Sequence, residues 1–317
     1  MKVLVTGGAG FIGSNLTQKL LDLKNEVICV DNFDPYYDPR VKKENIKPFL
    51  MLRNYHFYHE DILNVEGLKK IFDKEKPEKI CHLAAKAGVR PSIENSQIYQ
   101  KVNVEGTLNL LELAKEFKIK NFVFASSSSV YGERNKVPFC EDDNTDFPLS
   151  PYAATKKAGE VLLWTYHHLY NLNCTVLRFF SVYGPSGRPD MAPYLFTDAI
   201  YRGRPIKKFG DGESKRDYTF IDDIVAGIVS ALDRNLPYEI INLGNNHPIS
   251  LNEFIQVIER ALEKKAIIKK LPSQPGDTRV TCADITKAKK ILKYSPKTSI
   301  TEGIKKFVSW YLEKTIS

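Results

Sequence analysis

The chain has 317 residues, 43% of them apolar and 26% charged, and a formal net charge of +8. That length buries one large core or two smaller ones, and no window approaches the roughly 18 uninterrupted apolar residues of a membrane span, which excludes a membrane protein and predicts a soluble one. Lysines spread along predicted helix faces, mostly with acidic companions, exclude a nucleic-acid interface and leave a modest positive field suited to an anionic small substrate.

The start Met1-Lys2-Val3-Leu4-Val5 runs straight into a buried-strand pattern, without the basic, apolar and small-residue order of a secretion signal. The five cysteines, Cys29, Cys81, Cys140, Cys174 and Cys282, are odd in number and far apart, and no CxxC or Cys/His cluster is present. A cytoplasmic location and no metal are the expectations.

Short apolar runs predict strands over residues 3–6, 27–31, 79–84, 121–126 and 175–180, and apolar residues at helical spacing predict helices over 12–23, 65–73, 104–117 and 153–170. Strands alternating with helices imply a parallel sheet covered on both faces. After about residue 180 the alternation gives way to Gly- and Pro-rich segments such as Tyr183-Gly184-Pro185-Ser186-Gly187-Arg188-Pro189. Residues 218–231 followed by 239–243 again read as helix and strand belonging to the sheet. The expected fold is therefore α/β, a Rossmann-type doubly wound parallel sheet with a smaller C-terminal α/β substrate-binding domain. Residues 1–180, with about 217–245 returning to them, form the first part, and the rest of 181–317 the second.

The first strand leads into Gly7, Gly10 and Gly13, a GxxGxxG loop opening the first helix. Glycines there permit a tight turn and close backbone approach, while the helix N-terminus presents free N–H groups to a pyrophosphate. Glycine at a strand-to-helix turn also has purely steric uses. Asp31 strengthens the dinucleotide reading, because it ends the second strand about 18 residues on and can accept bonds from an adenosine ribose diol. A carboxylate there repels a 2′-phosphate, so NAD is preferred to NADP. Asp31 is equally suited to capping the Asp31-Asn32-Phe33-Asp34 turn.

Tyr152 and Lys156 stand four apart near the start of a helix, which puts both on one face. A fixed ammonium lowers the cost of a tyrosinate, and the phenol can then take a proton from a sugar hydroxyl. Such spacing also arises by chance on solvated helices. Here it follows a run of hydroxyls, Ser126-Ser127-Ser128-Ser129, at a strand end. His82 reads as a core histidine, and His167-His168 as facing solvent or a partner helix.

The segments GGAGFIG, HLAAKAGVR, ASSSSVYG, SPYAATKKAGE, RFFSVYGPSGRPDMA and KRDYTFIDDI resemble the extended short-chain dehydrogenase family, in particular its UDP-sugar 4-epimerases, from residue 1 to about 313. The resemblance implies an NAD site lined by Gly7, Gly10, Phe11, Ile12, Gly13, Asp31, Asn32, Asp61, Ile62, Leu83, Ala84, Ala85, Lys86, Asn103, Tyr152 and Lys156. It implies a catalytic set of Ser127, Tyr152 and Lys156, with Ser129 on the same strand face if the strand continues. Lys86, Ser127, Ser128, Tyr152, Ser181, Arg188, Arg216, Tyr218 and Asp277 would meet the UDP-sugar, whereas Gln274 stands where some relatives carry an arginine.

Relatives share oxidation to a 4-keto sugar and diverge afterwards. The family's dehydratases carry an Asp-Glu pair, and its uronate decarboxylases a Glu, where this chain has Ser128 and Ser129. Return of the hydride to the opposite face is then the easier outcome. Ser181 replaces the Asn typical of glucose epimerases, and Arg188 could hold a uronate carboxylate bidentately or brace the loop beside two prolines. UDP-glucuronate to UDP-galacturonate is the expected conversion. The alternatives are a UDP-glucose/UDP-galactose epimerase, a UDP-glucuronate decarboxylase and, against the intact Tyr152 and Lys156, a non-catalytic NAD-binding protein. Relatives also pair as homodimers through a four-helix bundle. The helices over 97–117 and 153–170 have apolar positions for two faces, since Leu113, Ala114, Leu162, Trp164 and Leu169 cannot all face one sheet.

Overall fold

The computed structural model describes residues 1–134, 136–272 and 279–316. In chain order its first six strands are β1 (Lys2–Thr6), β2 (Glu26–Val30), β3 (Tyr55–Tyr58), β4 (Lys79–His82), β5 (Asn121–Ser127) and β6 (Cys174–Phe179). Seven more follow: β7 (Ser181–Tyr183), β8 (Ile206–Phe209), β9 (Lys215–Arg216), β10 (Tyr218–Phe220), β11 (Tyr238–Leu243), β12 (Ile249–Ser250) and β13 (Ile268–Leu271). The central sheet has seven strands in the order β11-β6-β5-β4-β1-β2-β3, all parallel. Chain order reverses between β1 and β4, which opens a crevice at their C-terminal ends.

The helices of the N-terminal half are α1 (Phe11–Asp22), α2 (Pro39–Ile46), α3 (Val65–Glu75), α4 (Val89–Glu94), α5 (Ser96–Gln100), α6 (Gly106–Glu116) and α7 (Pro151–Tyr170). Those that follow are α8 (Ala192–Tyr201), α9 (Ile221–Asp233), α10 (Leu251–Leu262), α11 (Thr286–Leu292) and α12 (Ile300–Ile316). Their ends follow local chemistry. Ser150 accepts from Ala153 N and Pro151 fills the first helical turn to start α7, and Asn171 in left-handed conformation stops it. A capping box between Ser250 and Glu253 starts α10. α5 and α6 are joined by a π turn over Lys101–Glu105, so the helix expected over 97–117 is interrupted by one wide turn.

One sequence expectation changes. The strand expected to end at Ser126 runs one residue further and then stops, because Ser128–Tyr131 coil into a 3₁₀ turn, so Ser129 does not share a strand face with Ser127. β3 is a half-buried edge strand whose Tyr-His-Phe-Tyr sequence lacks the apolar run of an interior strand. Beyond the sheet, β7 pairs with β10, β8 with β13 and β9 with β12, while α8, α10 and α12 pack together beside them. One buried cluster runs from Val3 and Val27 through Ile224 and Ile228 to Phe254 and Val308, so these small sheets share the core of the large one. No helix among the described residues is long and apolar enough to cross a membrane.

His82, at the end of β4, is buried between two hydroxyls: Thr6 Oγ1 at 2.7 Å from Nδ1 and Thr107 Oγ1 at 2.9 Å from Nε2. Thr107 spends its own proton on the Asn103 carbonyl, so His82 donates from Nε2 and accepts at Nδ1, as a neutral ring. Burial, and secondarily the Lys156 charge, push its pKa down to about 3. The unfolded chain therefore binds a proton near pH 6.5 that the folded one refuses until about pH 3, and stability falls as pH drops through that window. Titration of urea midpoints should show His82→Asn losing this acid sensitivity between about pH 6 and 4 relative to wild type; parallel curves would place the sensitivity elsewhere.

Candidate active site

The dinucleotide loop is built by contact as much as by sequence. Gly7 N donates to Val30 O at 2.8 Å, and Gly7 adopts φ +67° where a Cβ would lie 2.8 Å from Ala84 N. A Cβ on Gly13 would strike the Gly7 carbonyl. Side chains at either position would fill the cradle between β1, β4 and the start of α1. Gly10 caps α1 with no side chain, which leaves the first N–H groups of Phe11, Ile12 and Gly13 for a ligand anion. Asp31 is buried and accepts from Ala9 N at 3.1 Å, Phe33 N at 2.8 Å and Lys42 Nζ at 3.4 Å. Its turn-capping and loop-facing readings thus hold together, and of about four lone-pair directions on a carboxylate one stays free for a ribose hydroxyl.

Asn32 Nδ2 donates to Asp61 Oδ2 at 2.8 Å, and Asp61 also accepts from Leu63 N at 2.8 Å; Ile62, buried, lies against Gly106. After β4, Leu83 N bonds Thr6 O and Ala84 N bonds Thr6 Oγ1, carrying the chain through Ala85 to Lys86. Asn103, turned inward by the π turn, accepts from Lys86 N at 2.8 Å and donates to Lys86 O at 3.0 Å and to Thr155 Oγ1 at 3.0 Å. It clamps that segment to α7. The Lys86 ammonium pairs with Asp34 at 2.7 Å.

α7 carries the reactive pair. Lys156 Nζ donates to Ala125 O at 2.8 Å and sits 5.0 Å over the Phe124 ring. Burial lowers its pKa to about 7, opposed by Glu160 one turn on. Burial raises Tyr152, opposed by a hydrogen bond with Ser127 and by the Arg188 charge. Ser127 in turn donates to Ser129 Oγ at 3.1 Å. Ser129 thus reaches the site through Ser127 rather than along a strand face, and Ser128 opens the 3₁₀ turn. The Tyr99 ring meets Tyr152 edge-on at 6.3 Å.

On the other wall, β7 sets Ser181 in register with Tyr218 of β10. Tyr218 stacks on Phe254 at 4.3 Å, and Arg216 Nη1 donates to Lys215 O. Arg188 is bound bidentately by Asp190 and lies over the Tyr36 ring at 5.3 Å. Asp277 and Gln274 lie outside the described residues.

Several contributors have no motif. Glu160 and Arg178 form a buried pair at 2.8 Å behind Lys156, and the visible signal was an arginine inside the otherwise apolar run of β6. Thr155, Lys42, Asp34 and Asp190 had none. Among the described residues one group, Glu26, His56 and Glu75, brings metal-ligand atoms together, and Lys2 already sits 2.7 and 2.8 Å from its two carboxylates.

The family model described as GDP-mannose 4,6 dehydratase matches residues 4–307. The UDP-glucuronate 4-epimerase of Thermodesulfobacterium geofontis is 49% identical over 311 residues, covering 98% of this chain and 96% of that one. The crystal structure of UDP-glucuronic acid 4-epimerase from Bacillus cereus, in complex with UDP-glucuronic acid and NAD, superposes with TM-score 0.94 at 38% identity, over 99% of this chain and all (100%) of that one. The UDP-glucose 4-epimerase of Thermotoga maritima, with UDP-glucose, gives TM-score 0.91 at 35% identity over 100% of both chains.

The depressed Lys156 pKa has a measurable consequence. From about pH 7 to 10.5 the unfolded lysine holds a proton that the folded one has released, so over that window Lys156 makes stability rise with pH. In unliganded protein, the stability of Lys156→Met relative to wild type should fall across that window, by on the order of 1 kcal/mol per pH unit at most. A pH-independent difference between the two would show Lys156 to titrate normally.

Proposed function

The chain belongs to the GDP-mannose 4,6-dehydratase-type family of extended short-chain dehydrogenases, and from that membership we propose that it interconverts UDP-glucuronate and UDP-galacturonate. It is an NAD-dependent UDP-sugar 4-epimerase. The observation carrying the assignment is the arrangement of Tyr152, bonded to Ser127 and followed one turn on by buried Lys156, at the mouth of a glycine cradle.

The residues fit the cofactor. Asp31 takes the adenosine ribose, the free amides at the start of α1 take the pyrophosphate, and Tyr152 with Lys156 borders the nicotinamide end. When bound there, NAD would supply the acceptor and donor of the sugar's C4 hydride. As C4 is oxidised, the proton of the 4-hydroxyl passes to the Tyr152 oxygen, while Ser127 holds the sugar oxygen in line. The Lys156 ammonium, kept dry by Phe124 and aimed by the Ala125 carbonyl, lowers the cost of the tyrosinate that receives the proton. Tyr152 returns that proton when C4 is reduced from the other face.

Substrate choice rests on the far wall. Arg188, seated over the Tyr36 ring, adds its charge to the field felt by the Tyr152 phenol, and its guanidinium is the bidentate partner that a C6 carboxylate needs. Ser128 and Ser129 replace the carboxylates that eliminate water or assist decarboxylation in relatives. Residues 181–317, apart from about 217–245, supply sugar and UDP contacts through Ser181, Arg188, Arg216 and Asp277, and Tyr218 adds one from the returning stretch. The site works in a homodimer. Leu113 and Ala114 are buried within the protomer, but Leu108 on α6 and Val161, Trp164 and Leu169 on α7 expose 38%, 52%, 50% and 59% of their surface on the helices expected to pair.

Tyr152→Phe should abolish epimerisation with NAD still bound, since it removes one proton carrier and almost no packing; turnover above about a tenth of wild type would remove Tyr152 from that role. Arg188→Ala should raise KM for UDP-glucuronate roughly 30-fold or more while sparing residual activity on UDP-glucose, and should release some carbon dioxide from the unclamped 4-keto acid. Equal losses on both sugars would make Arg188 structural. Light scattering at micromolar concentration should report a dimer and Trp164→Glu a monomer; monomeric wild type would refute the bundle.

A further inference from the structure

Arg188 and Asp190 lie in the one turn that leads into α8, where Met191 N closes back on the Arg188 carbonyl at 3.2 Å. The pair is a full fork: Nε to Oδ1 at 3.0 Å and Nη2 to Oδ2 at 2.6 Å, with side chains only 19% and 32% exposed. The Tyr36 phenol interacts with both members, and its ring lies under the guanidinium. The start of the loop is anchored elsewhere, by Asn15 Nδ2 donating to Pro185 O and by Gly187 N closing on Gly184 O. Arg188 is thus fixed by its backbone and by Tyr36, while its Nε/Nη2 edge is filled by a carboxylate of the chain itself.

We propose that Asp190 is a resident stand-in for the carboxylate of a uronate substrate, holding the Arg188 fork until that substrate displaces it. This rests on the reading that Arg188 receives the C6 carboxylate. A bidentate guanidinium can be left by one carboxylate without loss only if another takes both donors. A glucuronyl group offers two oxygens and a full charge, so the exchange is close to even. A hydroxymethyl group offers one neutral oxygen, and displacing Asp190 for it would leave a half-buried cation and a half-buried anion each short of a partner. Asp190 therefore keeps the guanidinium paired while no uronate is bound, and a neutral sugar leaves that pair in place. Its cost is part of the affinity for the correct substrate, because a uronate that takes the Nε/Nη2 edge must first break the internal pair.

The test measures binding by calorimetry in Tyr152→Phe protein loaded with NAD, which cannot turn over, using UDP-glucuronate and UDP-glucose as probes. Asp190→Asn and Asp190→Ser should each tighten UDP-glucuronate about 3- to 10-fold and leave UDP-glucose within about twofold, and Asp190→Glu should bind as Asp190 does. Thermal unfolding of each variant confirms that the comparison is between folded proteins. If Asp190→Asn and Asp190→Ser instead weaken UDP-glucuronate as much as Arg188→Ala does, Asp190 orients the arginine and the proposal fails. If they tighten both ligands equally, the effect is the general one of removing a negative charge near UDP, and the proposal fails again. Should Arg188→Ala leave UDP-glucuronate affinity unchanged, the uronate reading of Arg188 itself is lost, a result separate from any behaviour of the Asp190 variants.

Discussion

The site depends on an ion pair that never touches a ligand. Glu160 on α7 and Arg178 on β6 meet in two parallel bonds of 2.9 and 2.8 Å, both side chains 1% exposed, and Ser126 on β5 donates to the same carboxylate at 2.6 Å. The guanidinium lies 4.8 Å above Tyr131 and reaches the Glu141 carbonyl, which draws in the loop beyond the serine turn. Three elements are therefore cross-linked one helical turn behind Lys156. Pairs of this kind add little net stability over an apolar replacement, but removing one partner costs about 3–5 kcal/mol because the other charge is stranded. What the pair adds is uniqueness: α7 can slide or rotate on the sheet only by breaking it, so Tyr152 meets Ser127, and Lys156 the Ala125 carbonyl, in one geometry.

That geometry explains the opposite displacements of the two titrating groups. In the protein alone, burial drives the lysine toward its neutral form and keeps the tyrosine in its neutral form. Neither charge is free to form. Glu160 leans toward the ammonium without contacting it, and the Ala125 carbonyl accepts one of its protons. Lys156 is poised near neutrality, so that a modest electrostatic change in the site moves its proton.

Much of the frame was readable from sequence because it depends on local rules. Period and apolar runs marked β1, β2, β4, β5 and β6, and the glycines marked the turn after β1, since steric exclusion acts within a few residues. β3 was invisible because an edge strand needs no continuous apolar run. Ser129 was misplaced because four serines in a row carry no period, and nothing local says where extended chain becomes a 3₁₀ turn. The candidate site was legible at Gly7, Asp31, Tyr152 and Lys156, whose proposed roles rest on residue type at fixed spacing. Asp190, Lys42 and Asn103 were harder, for their effects come from partners 2, 11 and 17 residues away that only folding brings into contact. Asn103 was named by resemblance, yet its bonds here are to Lys86 and Thr155.

The π turn between α5 and α6 gives one helix two phases. Before it, Tyr99 faces Tyr152 and donates to Ala87 O, and within it Asn103 grips the Lys86 segment. After it, Leu110, Leu111 and Ala114 lie against the sheet while Leu108 points away. The surplus residue works as a vernier: each half of the rod is indexed to a different neighbour, and neither had to compromise with 3.6 residues per turn. Excising a single position from Lys101–Glu105 would turn everything downstream by about 100°, so the chain can vary its outer face or its inner one by substitution but can lengthen or shorten neither there.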